Sequence, residues 1–499
     1  MLPLALTLLL TGCHASPCQT TLTYKRDIPL VDVGCSSGSS SSNSSYSIGT
    51  AIGFATRQLI QERFRASKGL QECIAFAATP DGRRAVDTML QLHTAHYPEY
   101  ITELRGLADG AGVPFKQVLM ANMRQELLAL AQPHQQQHED SCSDVLLSLP
   151  APHGPPRHPA PTEGAQPPAT TLIGHNEDMT RDTIGRIYFV RYNADASFPT
   201  AASAARRRTG SSSSSSRRLM RRQAAHQQTS SREGQQRNYG QPQLQTPAAG
   251  ASPPPATASS FNRQGAWSSS STTTSSSSRS STGGLSWLGF VYAGELASSG
   301  FGFNSAGIGF SLNAVFPAAP LMPGFSRNFV SRQLLQARSI DEALAIISRP
   351  GQAVGHSYNL FDLHSRRPLN VEVGPGGASS VLEVRRGSFY FHANMFKHLV
   401  LRQRIDDSSF HREARALQLQ APRDAAELLG MLGDTADPEY PIYRHGNSTA
   451  DAAVVTLCTA LFDLEAGTMR VWTGNPGDAS SRRLQLQFDL HTLQLLEEQ

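Results

Sequence analysis

Long apolar runs are scarce in this chain. Of its 499 residues only 39% are hydrophobic and 7% aromatic, and beyond the first ten residues no stretch is long and apolar enough to cross a bilayer. A stable membrane span is therefore not expected. There is no phosphate loop, dinucleotide fingerprint or serine-centred nucleophile elbow, so no cofactor is expected either. Cysteines are few: Cys13, Cys18, Cys35, Cys73, Cys142 and Cys458. If a leader is removed near Ala15, five remain, and an odd count in an oxidising compartment leaves at least one free thiol. Cys18 and Cys35 could pair, but spacing alone does not fix connectivity.

What replaces the missing apolar residues is serine. Residues 195–286 carry Ser and Thr tracts, Arg206-Arg207-Arg208 and Pro253-Pro254-Pro255. Such a segment cannot repay its ordering entropy and reads as a disordered insert. It holds eleven arginines against two acidic residues, so without it the net charge would be −5 instead of +4. The basic character belongs to the insert and gives no argument for a nucleic-acid partner. Length alone would allow two or three domains; the insert reduces that to one folded body, expected over 46–194 and 287–499.

Met1 to Leu10 form a short apolar core, with a small-residue cleavage site at Cys13-His14-Ala15. Residues 1–15 read as a secretory signal, which places the protein outside the cell or in the lumen of the secretory pathway. Leu10-Thr11-Gly12-Cys13 also matches a lipoprotein box, a minor alternative. The sequons at Asn43 and Asn447 are compatible with secretion. Residues 16–45 read as an exposed lead-in.

From Tyr46 the apolar period is helical, with Ile48, Ile52, Ala55, Leu59 and Ile60 on one face. Further helices are expected around Ala85–His96, over Tyr97–Gly110 and after Pro114. Strands are expected at Leu288–Ala293, Phe301–Asn304 and Ile308–Asn313, then a helix pair over 328–348, then strands to the end. The class is α+β, with stacked sheets flanked by helices.

The stretch Asp140-Ser141-Cys142-Ser143-Asp144-Val145-Leu146-Leu147 organises the rest. A polar segment runs into a lone cysteine that opens an apolar strand, and Thr171-Leu172-Ile173-Gly174-His175-Asn176-Glu177-Asp178 gives a second strand closed by a carboxylate. The two residues could meet at one end of a hairpin. A cysteine thiol with a pKa of about 8.5 is only a few per cent thiolate at neutral pH, so a nucleophile needs a base. An isolated cysteine is more often structural, the reading that applies to Cys73 and Cys458. His134, His138 and Cys142 at i, i+4 and i+8, with Asp144, would alternatively align metal ligands on a helix; Pro133 and the glutamines favour a loop instead, and no metal is expected.

Several ordered segments resemble the acyl-coenzyme A:6-aminopenicillanic acid acyltransferases, the C45 peptidase family. They are Tyr97–Gly106, Met120–Glu126, Cys142, Gly174-His175-Asn176-Glu177-Asp178, Gly302–Gly307 through Asn313-Ala314, Phe391-His392-Ala393-Asn394 and Leu461–Arg470. The resemblance implies an N-terminal nucleophile (Ntn) hydrolase fold, an αββα sandwich matured by self-cleavage between Ser141 and Cys142. It implies that Cys142 is the nucleophile, that Asp178 holds the freed α-amino group, and that Asn394 supplies the oxyanion hole. It implies an amidohydrolase or acyltransferase for small N-acyl amines or peptide-like amides, whose two fragments stay together through a shared core. Two departures stand out. Ser141 occupies a position where glycine is expected, which bears on cleavage, and Glu177 replaces an aromatic, which puts a charge beside the site. Two other readings stay open: an uncleaved, inactive relative acting as a secreted binding protein, and a His/Cys metal-binding protein.

Overall fold

A computed structural model describes residues 18–24, 26–35, 41–131, 141–150, 170–194 and 284–497. The expected signal, the Ser/Arg-rich insert up to residue 283, His134 and His138 lie outside the described residues.

The chain opens with β1 (Cys18–Thr23) and β2 (Leu30–Cys35). Seven helices follow: α1 (Ser41–Ala55), α2 (Arg57–Ala66), α3 (Lys68–Ala77), α4 (Pro80–His96), α5 (Pro98–Ala111), α6 (Phe115–Ala121) and α7 (Arg124–Ala131). Strands β3 (Ser141–Leu149), β4 (Thr170–Thr180) and β5 (Ile187–Asn193) come next. After the insert come β6 (Trp287–Tyr292), β7 (Phe301–Asn304), β8 (Ile308–Pro317), α8 (Arg327–Leu334) and α9 (Ile340–Ile347). Then follow β9 (Gly355–Asp362), β10 (Leu369–Val373), β11 (Ser379–Glu383), β12 (Ser388–His392) and β13 (Gln403–Arg404). The chain closes with α10 (Asp407–Gln418), α11 (Ala425–Leu432), β14 (Val454–Asp463), β15 (Thr468–Thr473) and β16 (Arg483–Asp489).

Two sheets form. One runs β1-β2-β5-β6-β7-β8-β9-β10-β11, with β13 on β8; the other runs β12-β3-β4-β14-β15-β16. Strand alternation decides what lies between them. Leu146, Ile173, Phe189, Phe290, Phe301, Phe361, Phe462 and Phe488, from both sheets, share one buried cluster. The opposite face of the six-stranded sheet, with Val145, Leu147, Leu172 and Leu461, packs on Ala416 of α10 and on Leu428, Leu429 and Leu432 of α11. The other face of the first sheet packs on α1 to α9 through Ile52, Leu104, Leu127, Phe329 and Ile347. The layer order is helix, sheet, sheet, helix, the αββα sandwich expected. Close crossing of α1 and α5 depends on glycine: a Cβ on Gly49 would lie 1.9 Å from the Glu103 carbonyl oxygen, and one on Gly106 would lie 2.1 Å from that of Tyr46.

The lead-in over 16–45 is corrected: it is not an exposed tail. Leu30, Val31 and Val33 are buried, Cys18 and Cys35 form a disulfide, and α1 begins at Ser41. The polar residue inside this run, Asp32, is satisfied by Arg191 of β5, and that ion pair hides the strand from a simple apolar pattern.

Candidate active site

β3 and β4 pair antiparallel, with Ser141 opposite Asp178 and Cys142 opposite Glu177. The cysteine and the carboxylate therefore meet at one end of the strand pair, as the two sequence stretches predict. Alternation then separates them by face. Cys142, Asp144 and Leu146 share one face of β3, and Ile173, His175 and Glu177 share the matching face of β4; Leu146 and Ile173 put that face between the sheets. Ser141, Ser143, Asn176 and Asp178 face the helical layer of α10 and α11.

Between the sheets lies a buried polar chain. The two ring nitrogens of His175 meet Asp144 Oδ1 at 3.0 Å and Glu177 Oε2 at 2.9 Å. Ser311 Oγ donates to Asp144 Oδ1 at 2.6 Å, and the Tyr292 hydroxyl donates to Glu177 Oε1. Cys142 Sγ lies 3.9 Å from that same Glu177 Oε1. Burial alone would lower the His175 pKa, but the carboxylates of Asp144 and Glu177 hold it well above its ordinary value. With a carboxylate on each ring nitrogen, both carry protons and the ring is an imidazolium. The Cys142 thiol is pushed up to about 12, first by burial and then by the Glu177 charge, while His175 acts against both. In the continuous chain the thiol is therefore held neutral.

On the helical side, Asn394 and Arg412 grip the backbone around the Ser141–Cys142 bond. Asn394 Oδ1 accepts from the Cys142 N–H at 3.1 Å, from Ser141 Oγ at 2.9 Å and from Arg412 Nη2 at 2.8 Å. The Asn394 Nδ2 group donates to the Ala314 carbonyl at 2.9 Å. As placed, this amide is an acceptor toward Cys142, and its donor side is already engaged. Arg412 also donates from Nη1 to the Cys142 carbonyl at 2.5 Å and to Ser143 Oγ at 3.0 Å. Burial, then repulsion from Arg444, lowers its pKa to about 10, which leaves it charged at neutral pH. The Asn394 N–H donates to Ser409 Oγ at 3.3 Å, and the turn after it is held by Glu372, which accepts the backbone N–H groups of Lys397 at 2.6 Å, His398 at 2.9 Å and Leu399 at 2.6 Å.

Asp178 Oδ1 accepts from Thr456 Oγ1 at 2.6 Å, and Oδ2 faces Arg444 Nε at 3.6 Å. Burial raises its pKa to about 6, against the lowering pull of Arg444 and Arg412. The partner of the Cys142 nitrogen in the continuous chain is thus Asn394, with Asp178 across the strand pair. An apolar cleft lined by Gln125, Ala129, Val315, Phe316, Pro320 and Val354 includes residues of β8, the strand whose Ala314 carbonyl accepts from Asn394.

Cys142, His175 and Glu177 bring three ligand-type atoms within 4.8 Å of one another. The 2.9 Å separation of His175 Nε2 and Glu177 Oε2 is that of a hydrogen bond. Two ligands of one tetrahedral zinc would stand about 3.4 Å apart. The set fits a proton-sharing chain better than an ion. Sequence reasoning gave no role to His175, Tyr292 or Arg412. A His and a Glu two residues apart on one face of a strand were a legible signal; Arg412, in a stretch with no strong pattern, gave none.

Residues 268–478 match the family described as acyl-coenzyme A:6-aminopenicillanic acid acyl-transferase, a range that contains Asn394 and Arg412 but neither Cys142 nor Asp178. The chain is 22% identical over 450 residues to the beta-alanyl-dopamine/carcinine hydrolase of Drosophila melanogaster, covering 87% of this chain and 91% of that protein. Among solved structures it aligns with the Caenorhabditis elegans N-acylethanolamine-hydrolyzing acid amidase (NAAA) ortholog at 15% identity and a TM-score of 0.25, over 39% of this chain and 76% of that one. The family model and the fly hydrolase bear out the resemblance read from the sequence.

Proposed function

We propose that this chain is a cysteine N-terminal nucleophile enzyme that cuts itself between Ser141 and Cys142 and then hydrolyses small N-acyl amines. At the coarser level it is an amide-bond hydrolase or acyltransferase, the class of its relatives. The observation that carries the finer reading is the placement of Cys142. Its nitrogen is held by Asn394, its carbonyl by Arg412, and its thiol lies in a buried polar chain at the mouth of a strand pair.

The cut would supply what the continuous chain lacks. The freed α-amino group, with a pKa of about 7.7–8.0, is a base within the same residue as the thiol. Asp178, across the pair, would stabilise its charged form. The thiolate attacks the substrate carbonyl, the amine leaves with a proton from the α-ammonium, and water then resolves the thioester. An oxyanion donor is also required; Asn394 Nδ2 would serve after turning from the Ala314 carbonyl, and one such donor typically contributes about 10²–10³ in rate. The two fragments would stay together because β2, before the cut, pairs with β5, after it. The Cys18–Cys35 disulfide accords with passage through an oxidising compartment, in keeping with a secreted or lumenal enzyme, where water and not a coenzyme A thioester is the available partner.

A second reading is an uncut binding protein, favoured by a thiol held neutral in the continuous chain. Turnover separates the two. The fly relative's name makes β-alanyl-dopamine the first substrate to test. Purified protein should release dopamine, read by chromatography, and Cys142→Ala should abolish the release. Equal release from both proteins refutes the cysteine mechanism.

A further inference from the structure

In the continuous chain the Cys142 nitrogen is an amide, so the base that serves the mature enzyme does not yet exist when the cut must be made. Resting on the self-cleavage reading above, we propose that Glu177 is the base for that first step, taking the Cys142 thiol proton while His175 and Asp144 hold it in place. Glu177 Oε1 is 3.9 Å from Sγ, and catalytic hydrogen bonds in resting structures are often long and tighten as reaction begins.

The rest of the chain of contacts fits this use. His175 spans from Asp144 Oδ1 to Glu177 Oε2, and Ser311 fixes the far end. The imidazolium lies within 4.8 Å of Sγ and so also offsets the charge of a forming thiolate. Tyr292 donates to the Oε1 atom that faces the thiol, which orients the carboxylate. Gly300 leaves space for it: a Cβ there would lie 2.0 Å from Glu177 Oε2.

The cleavage needs no reactant beyond water. The Sγ–H proton passes to Glu177 Oε1, and Sγ bonds to the Ser141 carbonyl carbon through a five-membered ring. The bond from that carbon to the Cys142 nitrogen breaks, and Glu177 returns the proton to the leaving nitrogen, whose existing N–H is held by Asn394 Oδ1. Water then hydrolyses the thioester, releasing the Ser141 carboxylate and restoring the thiol.

The test compares the wild-type chain, Glu177→Gln and Cys142→Ala, each also made with a specific protease site placed immediately before Cys142. Self-cleavage is read by gel and intact mass, and amide hydrolysis by amine release. Glu177→Gln should slow self-cleavage by about 100-fold or more, and external cutting should bring back measurable amide hydrolysis, below that of the wild-type chain cut the same way, because the freed amine then acts as base. Self-cleavage of Glu177→Gln at the wild-type rate overturns the assignment. So does a Glu177→Gln chain that stays inactive after external cutting when the wild-type chain cut the same way is active. A wild-type chain that never cuts itself, yet hydrolyses amides once cut externally, also overturns the assignment. If the externally cut wild-type chain is inactive as well, the parent reading fails.

Discussion

Replacing Arg412 would test the helical side of the site without touching the thiol. Its guanidinium is fully buried and donates to the Cys142 carbonyl, Ser141 Oγ, Ser143 Oγ and Asn394 Oδ1. In Arg412→Ala, Asn394 Oδ1 keeps two donors, the Cys142 N–H and the Ser141 hydroxyl, while the Cys142 carbonyl loses its charged one. A buried acceptor stripped of its partner costs about 1–3 kcal/mol, and the space left by the side chain adds to this. Relief of repulsion from Arg444 offsets part of the loss. The net expectation is about 3 kcal/mol. With roughly 2 cal/mol/K of unfolding entropy per residue over the roughly 350 described residues, that lowers Tm by about 4 °C. Scanning calorimetry should compare Cys142→Ala with Cys142→Ala/Arg412→Ala, so that both chains stay uncut. In the wild-type background, Arg412→Ala should also slow self-cleavage about 100-fold, because a loss of alignment near 1 Å is worth that much. Arg412→Lys should recover part of the stability but little of the rate, since an ammonium cannot fork to four acceptors. An unchanged Tm together with wild-type cleavage would refute the reasoning.

Asp178 gives a pH signature. Its folded pKa is raised to about 6 from 3.8, so its contribution to stability is fully present below about 4 and is lost as pH rises through 6. Asp178→Asn should remove that decline, worth about 3 kcal/mol, in denaturant titrations of the uncut Cys142→Ala background between pH 4 and 7. Gly300→Ala should push Glu177 off His175 and slow self-cleavage about 10-fold to 100-fold in a gel time course, with little change in circular dichroism. Breaking the disulfide with Cys18→Ser/Cys35→Ser should cost about 3 kcal/mol by chemical denaturation, for a closed loop of this length. Cleavage should persist in that variant.

The sequence made the sandwich legible where periodicity was plain. The strands from Trp287 onward and the helix ending at Ala111 closed by Gly112, whose φ of 68° suits glycine, lie close to where patterns place them. β1 and β2 were missed because Asp32 interrupts a short apolar run and its partner, Arg191, is distant in sequence. α10 was missed because much of its buried face is polar: Arg412 donates to the backbone of β3, Ser409 accepts from the Asn394 N–H, and Ser408 is buried against Arg412 and Arg444. For the site, the meeting of Cys142 with the end of β4 was visible from two apolar strands separated by a Pro-rich stretch. Which face each residue takes was not. Strand alternation places Glu177 and His175 with the thiol and Asp178 away from it, and only the pairing register settles that.

The central claim is that Cys142 becomes an amino terminus. Intact mass and N-terminal sequencing of the purified protein, beside Cys142→Ala, test it most directly. The account predicts a new terminus at Cys142 in the wild-type protein and one continuous chain in the variant. A wild-type chain that stays whole on prolonged incubation, or a variant cut at the same bond, would contradict it.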